Sequence, residues 1–420
     1  MPEKTRLKNG LRVITVSRKN TKAVTLLVLV AVGSKYEKKK ISGISHLIEH
    51  LLFKGTKKRP GPLKVVEPLD EVGGVYNAFT GQEYTGYYIK VRKEHFDMAL
   101  DILSDIFLNS QFLSKEIKKE KSVVSEEIKM YHDHPMHHVQ SLWNNLLYGD
   151  QPAGWDIAGT QKSVAGISRQ EILDYFKNQY ISAKTVVCAA GNFPVKEAKK
   201  KIEEKFCKTA KGEILEKSSV VEKQKEPNFL LERRKTDQTH LCLGVRGYSL
   251  FSPRRYAQEV LAVVLGGMMS SRLFTKVRQE LGLAYYVACE SFSDSDTGFL
   301  MARAGVDNEN SKKAVSAIVK EFKKIKRGVP SKELKKAKEN LKGKMALHLE
   351  TSDALASFYG IQEIMENNFL TLEEIYDKIN KVGAKDISEL AKDIFKPENL
   401  NLALIGPLEK EKELKKILKI

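Results

Sequence analysis

The sequence predicts an α+β protein with two homologous domains, each a mainly antiparallel sheet packed against helices. Three observations lead to this prediction. The chain has 420 residues, a length that suits two or three domains, each with a core of its own. Two long segments of the chain resemble each other. Strand-like segments at 75–80 and 85–91 follow one another without a helix between them, which favours hairpins over a doubly wound parallel sheet.

The internal repeat relates residues 25–107 to residues 239–322. Each copy contains an apolar strand-like run, a helical pattern, a second strand-like run that opens on Thr-Gly, and an amphipathic helix. Four elements in the same order indicate an ancient duplication. Residues 211–225 lack a sustained apolar face, and we interpret them as a linker. The predicted domains are therefore residues 1–210 and residues 226–420.

Composition argues against several classes of protein. Hydrophobic residues make up 42% of the chain and charged residues 30%, which is a globular balance. The longest apolar run, Ala23–Gly33, has about 11 residues and is too short to cross a bilayer. The N-terminal residues are polar at once, which argues against a secretory signal. The four cysteines lie far apart with no CxxC pair, so we predict reduced, mostly buried thiols in a cytoplasmic protein.

The net charge of +18 permits nucleic-acid binding. However, the lysines alternate with glutamates, as they do on solvated helix faces, and no nucleic-acid motif is present. We therefore expect neither nucleic acid nor membrane as a partner.

The sharpest local signal is the motif HLIEH, from His46 to His50. The surrounding segment predicts a buried helix, on which His46, Glu49 and His50 share one face. Two imidazoles one turn apart can hold a single zinc ion. Zinc lowers the pKa of a water to about 7, so that Glu49 can take its proton near neutral pH. HxxEH is the inverted form of the HExxH zinc signature, and the alternative is a core histidine pair with a partner carboxylate.

A catalytic zinc needs a third protein ligand. The helix predicted over residues 114–133 offers four glutamates as candidates. At about 100° per residue, its buried stripe is predicted to contain Ile117, Val124, Ile128 and Tyr131. Glu120 and Glu127 lie beside that stripe, whereas Glu126 points nearly the opposite way. We predict Glu127 as the third ligand and Glu120 as a supporting residue, the alternative being that both reach out to water.

Four histidines follow closely in the segment HDHPMHH. Because Pro135 disrupts a helix and polar turn residues surround it, the segment predicts a solvated loop. Weak, adventitious metal binding is the most that we expect there. The histidines concerned are His132, His134, His137 and His138.

These residues resemble those of the inverzincin, pitrilysin-type zinc metallopeptidases. Further motifs of that family are similar to the segments 73–88, 120–135, 146–160 and 265–287, so the resemblance covers nearly the whole chain. The resemblance implies one zinc per chain, held by His46, His50 and Glu127. It also implies a short, two-domain member that forms a homodimer or a heterodimer with a related chain.

The resemblance assigns roles outside the zinc ligands as well. Arg278 and Tyr285 stand seven residues apart, as do an arginine and a tyrosine of the family that reach the active site from the second half. Such groups can hold a peptide carbonyl or an oxyanion. The strand containing Asn77, Ala78 and Phe79 resembles the family's substrate-binding edge strand, which pairs with extended peptides.

The sequence therefore predicts a zinc-dependent endopeptidase or oligopeptidase with Glu49 as the general base. Residues 1–210 are predicted to be the catalytic, zinc-binding domain. Residues 226–420 are predicted to bind no metal and to contribute Arg278 and Tyr285 as catalytic and substrate-binding residues. Unfolded peptides or flexible segments are the expected substrates. The alternatives are a non-catalytic, scaffold-type relative and a basic nucleic-acid-binding protein.

Overall fold

The computed structural model describes residues 2–409 and 411–418. Within it the chain forms two compact units, each assembled from three segments. Unit 1 contains the chain up to Lys129, Asp156–Ser218 and Leu347–Leu370. Unit 2 contains Met130–Trp155, Ser219–Ala346 and the chain from Thr371 onward.

The strands belong to two sheets, one in each unit. In chain order they are β1 (Glu3–Arg6), β2 (Arg12–Ser17), β3 (Ala23–Val30), β4 (Val75–Thr80), β5 (Thr85–Arg92), β6 (Thr185–Gly191), β7 (Asn228–Arg233), β8 (Gln238–Arg246), β9 (Ala284–Ser293), β10 (Gly298–Asp307) and β11 (Asn401–Gly406).

The helices cover the faces of these sheets. In chain order they are α1 (Ile44–Leu52), α2 (Pro62–Asp70), α3 (Phe96–Asn109), α4 (Ser114–Asp133), α5 (Pro135–Tyr148), α6 (Gln161–Gly166), α7 (Arg169–Gln179), α8 (Val195–Phe206), α9 (Arg255–Gly266), α10 (Ser311–Ile325), α11 (Ser331–His348), α12 (Ser352–Glu366), α13 (Leu372–Lys381), α14 (Ala384–Ile394) and α15 (Glu411–Ile417). A π-helix covers Phe274–Glu280.

The two sheets have matching topologies apart from β1, which has no counterpart in the sheet of unit 2. The strand order is β1-β2-β6-β3-β5-β4 in unit 1 and β7-β11-β8-β10-β9 in unit 2. In unit 1, β2 and β6 are parallel and the other neighbours are antiparallel. In unit 2, β7 and β11 are parallel and the other neighbours are antiparallel. The predicted α+β class is confirmed, and the shared order agrees with the predicted duplication.

Burial on both faces explains the apolar run in β3. Leu26 and Val28 belong to the same core cluster as the buried residues of α1 and α3. Successive residues of a strand point to opposite faces, so Leu27 and Leu29 face the other way. There they approach Gly360 of α12, where a Cβ atom would lie 2.8 Å from Leu29 Cδ1. A strand that is covered on both sides reads as a continuous apolar run rather than an alternating one.

Each unit takes one helix from the other half of the sequence. Helix α12 packs on β3 and β6 of unit 1, while α5 packs on β8 and β11 of unit 2. Buried Glu363 ties α12 to unit 1 through ion pairs with Lys4 at 2.7 Å and Arg12 at 3.3 Å. Trp143 of α5 is fully buried in the core of unit 2. Division of the chain at residues 210 and 226 would assign both α5 and α12 to the wrong unit. Residues 1–210 therefore do not form one compact unit.

All four cysteines are free thiols, and Cys188, Cys242 and Cys289 are buried while Cys207 is exposed. This agrees with the prediction of reduced, mostly buried thiols. Within residues 2–409 and 411–418, no helix has the length and apolar content needed to cross a bilayer.

Candidate zinc centre

Helix α1 begins at a tightly constrained turn. Gly43 has φ +93°, and a Cβ atom there would lie 2.4 Å from the carbonyl oxygen of Ala158, so a glycine is needed at this position. The carboxylate of buried Glu37 accepts the backbone N–H groups of Gly43 at 2.7 Å and Ser45 at 2.8 Å. These bonds satisfy amides at the helix start that have no partner within the helix. The turn thereby sets the direction in which α1 leaves it.

The side chains of His46, Glu49 and His50 lie on the less buried side of α1. Leu47, Ile48 and Leu51 are buried in the core, whereas the two histidines and Glu49 are half-buried. The rings of His46 and His50 lie with their centroids 4.7 Å apart. Core packing on one side of the helix therefore orients the polar triplet on the other.

Helix α4 brings two of its glutamates, Glu120 and Glu127, to the same place. Glu127 is 24% exposed at its side chain, whereas the side chain of Glu126 is 72% exposed and pairs with Lys129 at 2.7 Å. The predicted direction of these two residues therefore agrees with the structure. The predicted stripe is wrong at Tyr131, which is 45% exposed, because α4 extends beyond the core of unit 1 near its end.

Three ligand atoms converge between α1 and α4. Glu127 Oε2 lies 3.7 Å from His46 Nε2 and 3.4 Å from His50 Nε2, and one ligand atom from each residue lies within 4.8 Å of the others. Two ligands of a tetrahedral zinc, each at about 2.0–2.1 Å, are separated by about 3.3–3.4 Å. The spacing of the three ligand atoms is therefore close to that of a zinc site.

Glu120 supports this cluster from the other side of the His50 ring. Its Oε2 lies 3.3 Å from His50 Nδ1, and its Oε1 pairs with Lys54 Nζ at 3.0 Å. A carboxylate on one imidazole nitrogen holds the ring in place and leaves the other nitrogen for a metal. The arrangement agrees with a supporting role for Glu120.

The charge states of the histidines differ. Burial, together with the nearby His50, lowers the pKa of His46 to about 4, so that His46 is neutral. Burial also acts to lower the pKa of His50, but the hydrogen bonds with Glu120 and Glu127 outweigh it and raise the pKa to about 9. Without an ion, a proton on His50 supplies the positive charge between the carboxylates. A metal ion must displace that proton when it binds.

Sequence analysis missed one residue of the site, Thr80. Its hydroxyl donates a hydrogen bond of 2.5 Å to Glu49 Oε2. Burial raises the pKa of Glu49, and the bond from Thr80 opposes that effect. Thr80 is the last residue of β4, the edge strand that carries Asn77, Ala78 and Phe79. A threonine at the end of a strand gives no local signal for such a contact, so only the fold could reveal it.

Arg278 and Tyr285 lie side by side in unit 2. The Arg278 guanidinium is 5.6 Å from the centre of the Tyr285 ring and 4.8 Å from that of Phe274. Arg278 is on the π-helix, and Tyr285 on β9 is 75% exposed. The phenol of Tyr285 is therefore available to a ligand.

The prediction of a loop across the four-histidine segment is wrong except at His134. Helix α4 continues to Asp133, and Pro135 is the first residue of α5. Proline is favoured at the first position of a helix, where its missing N–H has no intrahelical partner. His137 and His138 are therefore helical.

We expect Glu120→Gln to lower zinc affinity by about 10–100-fold, since outer partners of metal ligands contribute that much. Glu116→Gln is the matched control, because Glu116 lies one turn earlier on α4 and is equally buried at 5% exposure. Zinc titration of both variants measures the effect. Equal losses would mean that Glu120 acts on the helix rather than on His50.

We expect Thr80→Val to lower kcat by about tenfold with zinc content unchanged. A hydrogen bond to a charged group contributes about 1.5 kcal/mol or more, which corresponds to that factor in rate. Thr80→Ser keeps the hydroxyl and should restore most of the rate. Steady-state kinetics with a peptide substrate test this, and a KM effect in place of a kcat effect would contradict the positioning role.

A duplicated α+β fold with an HxxEH helix and a carboxylate on a second helix defines the inverzincin class of metallopeptidases. Residues 12–161 match the insulinase domain of peptidase family M16, and residues 166–341 match the inactive domain of the same family. The chain therefore belongs to peptidase family M16.

Relatives named as zinc proteases are similar over nearly the full length. The chain is 38% identical over 403 residues to the uncharacterized zinc protease YmxG of Bacillus subtilis, covering 95% of this chain and 97% of the relative. It is 32% identical over 403 residues to an uncharacterized zinc protease of Rickettsia bellii, covering 96% and 97%. These likenesses support a zinc peptidase at the level of the family.

Solved structures share the fold. A protease from Helicobacter pylori has a TM-score of 0.91 at 23% identity, covering 97% of this chain and 99% of that one. A chain of complex III2 from Candida albicans has a TM-score of 0.87 at 20% identity, and both chains are fully covered. At these identities the likeness concerns the fold alone.

Proposed function

We propose that the protein is a zinc-dependent endopeptidase or oligopeptidase that hydrolyses unfolded peptides and flexible segments. The observation that carries the proposal is the convergence of His46 Nε2, His50 Nε2 and Glu127 Oε2, with Glu49 on the same helix. These three atoms would hold the ion, and Glu49 would be the general base.

A bound zinc supplies Lewis acidity, which polarises a peptide carbonyl and acidifies water. The protein residues do the rest. Thr80 holds Glu49 Oε2 and leaves Oε1 to accept the proton, which Glu49 then delivers to the leaving amine. Burial of Glu49 raises its pKa and makes it a stronger base than an exposed carboxylate.

The edge strand supports an extended peptide as the substrate. β4 lies at the end of the strand order of its sheet, and Asn77 is exposed while Ala78 and Phe79 are half-buried. A peptide that adds to such an edge is bound through its backbone, with little demand on its sequence. The strand ends at Thr80, which contacts the proposed base, so a peptide paired with β4 would lead toward Glu49.

The proposal extends to partners and location. We propose a homodimer or a heterodimer with a related chain, because the short, two-domain members of the family that the chain resembles act as pairs. The four free cysteines support a reducing, cytoplasmic location.

The test is zinc content and cleavage of an internally quenched, unstructured peptide by the purified full chain. Stoichiometric zinc with cleavage that stops on chelation and returns with zinc supports the proposal. Zinc without cleavage would favour a scaffold-type relative, in which the peptidase fold persists without turnover. A purified chain that contains no zinc and cleaves no peptide would contradict the proposed zinc centre.

We expect Tyr285→Phe to lower kcat by about 10²–10³-fold with zinc content unchanged, since loss of one oxyanion donor has that effect. Tyr286→Phe is the matched control. Its hydroxyl forms a hydrogen bond with His240 Nδ1 at 3.0 Å and is therefore already engaged within unit 2. Steady-state kinetics of the two variants test this expectation. Equal kcat values for both would show that Tyr285 takes no part in the reaction.

A further inference from the structure

The α4–α5 turn and strand β7 form a second cluster of metal-ligating groups, in unit 2. His132 is near the end of α4, His138 is in the first turn of α5, and Glu232 is on β7. One ligand atom from each residue lies within 4.8 Å of the others, as in the first cluster. The proposed peptidase function uses none of these residues.

The geometry of the cluster is close to that of a metal site. The ring centroids of His132 and His138 are 4.5 Å apart. His138 Nε2 lies 3.0 Å from Glu232 Oε2, compared with about 3.3–3.4 Å between two ligands of a tetrahedral zinc. The helix is interrupted at His134, between α4 and α5, and the two imidazoles lie beside each other across this break.

The charges of the cluster suit a cation. Burial lowers the pKa of His138, and its contact with Glu232 only partly offsets that effect, so the imidazole is neutral at physiological pH. Burial acts to raise the pKa of Glu232, but its contacts with His138 and Arg234 outweigh it, so Glu232 is ionised. A neutral imidazole and a carboxylate are the forms that bind metals.

Arg234 is the one group that competes with an ion among the contacts described for the cluster. It donates to Glu232 Oε1 at 2.5 Å and to the backbone oxygen of His132 at 2.5 Å. The second carboxylate oxygen, Oε2, remains directed at His138. Arg234 also donates to His132 Nε2 at 3.0 Å, so the ring of His132 must turn to accept an ion, which its exposed position permits.

We propose that His132, His138 and Glu232 bind a second divalent transition-metal ion, with zinc as the preferred metal. Two imidazoles and one carboxylate are ligands that zinc accepts. The ion joins the end of α4, the start of α5 and strand β7. Helix α5 belongs to the first half of the sequence but is part of unit 2. The ion therefore stabilises the segment where the chain first enters that unit.

The test is the number of zinc ions per full-length chain after chelation, reloading with zinc alone and dialysis. The wild type is expected to hold two ions, and His138→Ala and the isosteric Glu232→Gln one ion each. His137→Ala is the matched control, since His137 is the neighbouring, exposed histidine on α5, and it should keep two. Circular dichroism checks that each variant is folded. If His138→Ala is not folded, the zinc content of Glu232→Gln decides the question.

His50→Ala separates the two sites, because it removes a ligand of the first cluster alone and should leave one ion. One ion in the wild type, still present in His138→Ala, would overturn the proposal. Loss of the second ion on dialysis, or equal loss from His137→Ala and His138→Ala, would indicate an adventitious ion only and would overturn it too. One ion in the wild type that is lost in His138→Ala and kept in His50→Ala would support the second site and reject the first.

Discussion

Replacing Glu49 by Gln is expected to lower peptide hydrolysis by about 10²–10⁴-fold, which is the usual contribution of a general base, and to leave the zinc content unchanged. The amide has the shape of the carboxylate and can still accept the hydrogen bond from Thr80, but it cannot take a proton. Atomic absorption for zinc and the cleavage rate of an unstructured peptide are the two measurements.

The control for Glu49→Gln is Glu126→Gln, which neutralises an exposed carboxylate of the same unit. It should leave both zinc and rate unchanged. Loss of zinc together with activity in Glu49→Gln would show that Glu49 is a ligand rather than the base.

Replacing Glu127 by Gln is expected to remove both zinc and activity. Glu127 Oε2 is the atom that approaches both His46 Nε2 and His50 Nε2, and an uncharged amide oxygen is a far weaker zinc ligand. The loss of affinity should exceed the factor of about 10–100 that is typical of outer partners. Glu126→Gln is again the matched control, one residue away on the same helix.

Zinc titration of the Glu127→Gln and Glu126→Gln variants measures this difference directly. Similar losses in both would contradict the arrangement in which α4 presents one glutamate to the site and the other to solvent. A zinc content at the level of the wild type in Glu127→Gln would mean that another residue completes the site.

Local sequence patterns were sufficient to predict which side chains lie together in most of the candidate zinc centre. His46, Glu49 and His50 are one turn apart on a helix, so helical geometry alone puts them on one face. The same rule separated Glu127 from Glu126 on α4. It failed at Tyr131, because the angular position of a residue on a helix does not tell where the neighbouring core ends.

Contacts between distant segments could not be predicted in this way. Thr80 meets Glu49 across a sheet edge, 31 residues later in the chain. Glu232 meets His138 across 94 residues. Neither contact has a periodicity or a motif of its own, since each depends on how a strand is placed beside a helix.

The sequence alone determined the duplication, the α+β class and the HxxEH helix, because each depends on the local spacing of apolar and polar residues. Only the tertiary structure decided which half of the chain covers which sheet. The residue patterns of α5 and α12 do not indicate which sheet each helix covers. Their exchange is decided by specific packing: Trp143 fills the core of unit 2, and Gly360 allows close contact with Leu29 in unit 1.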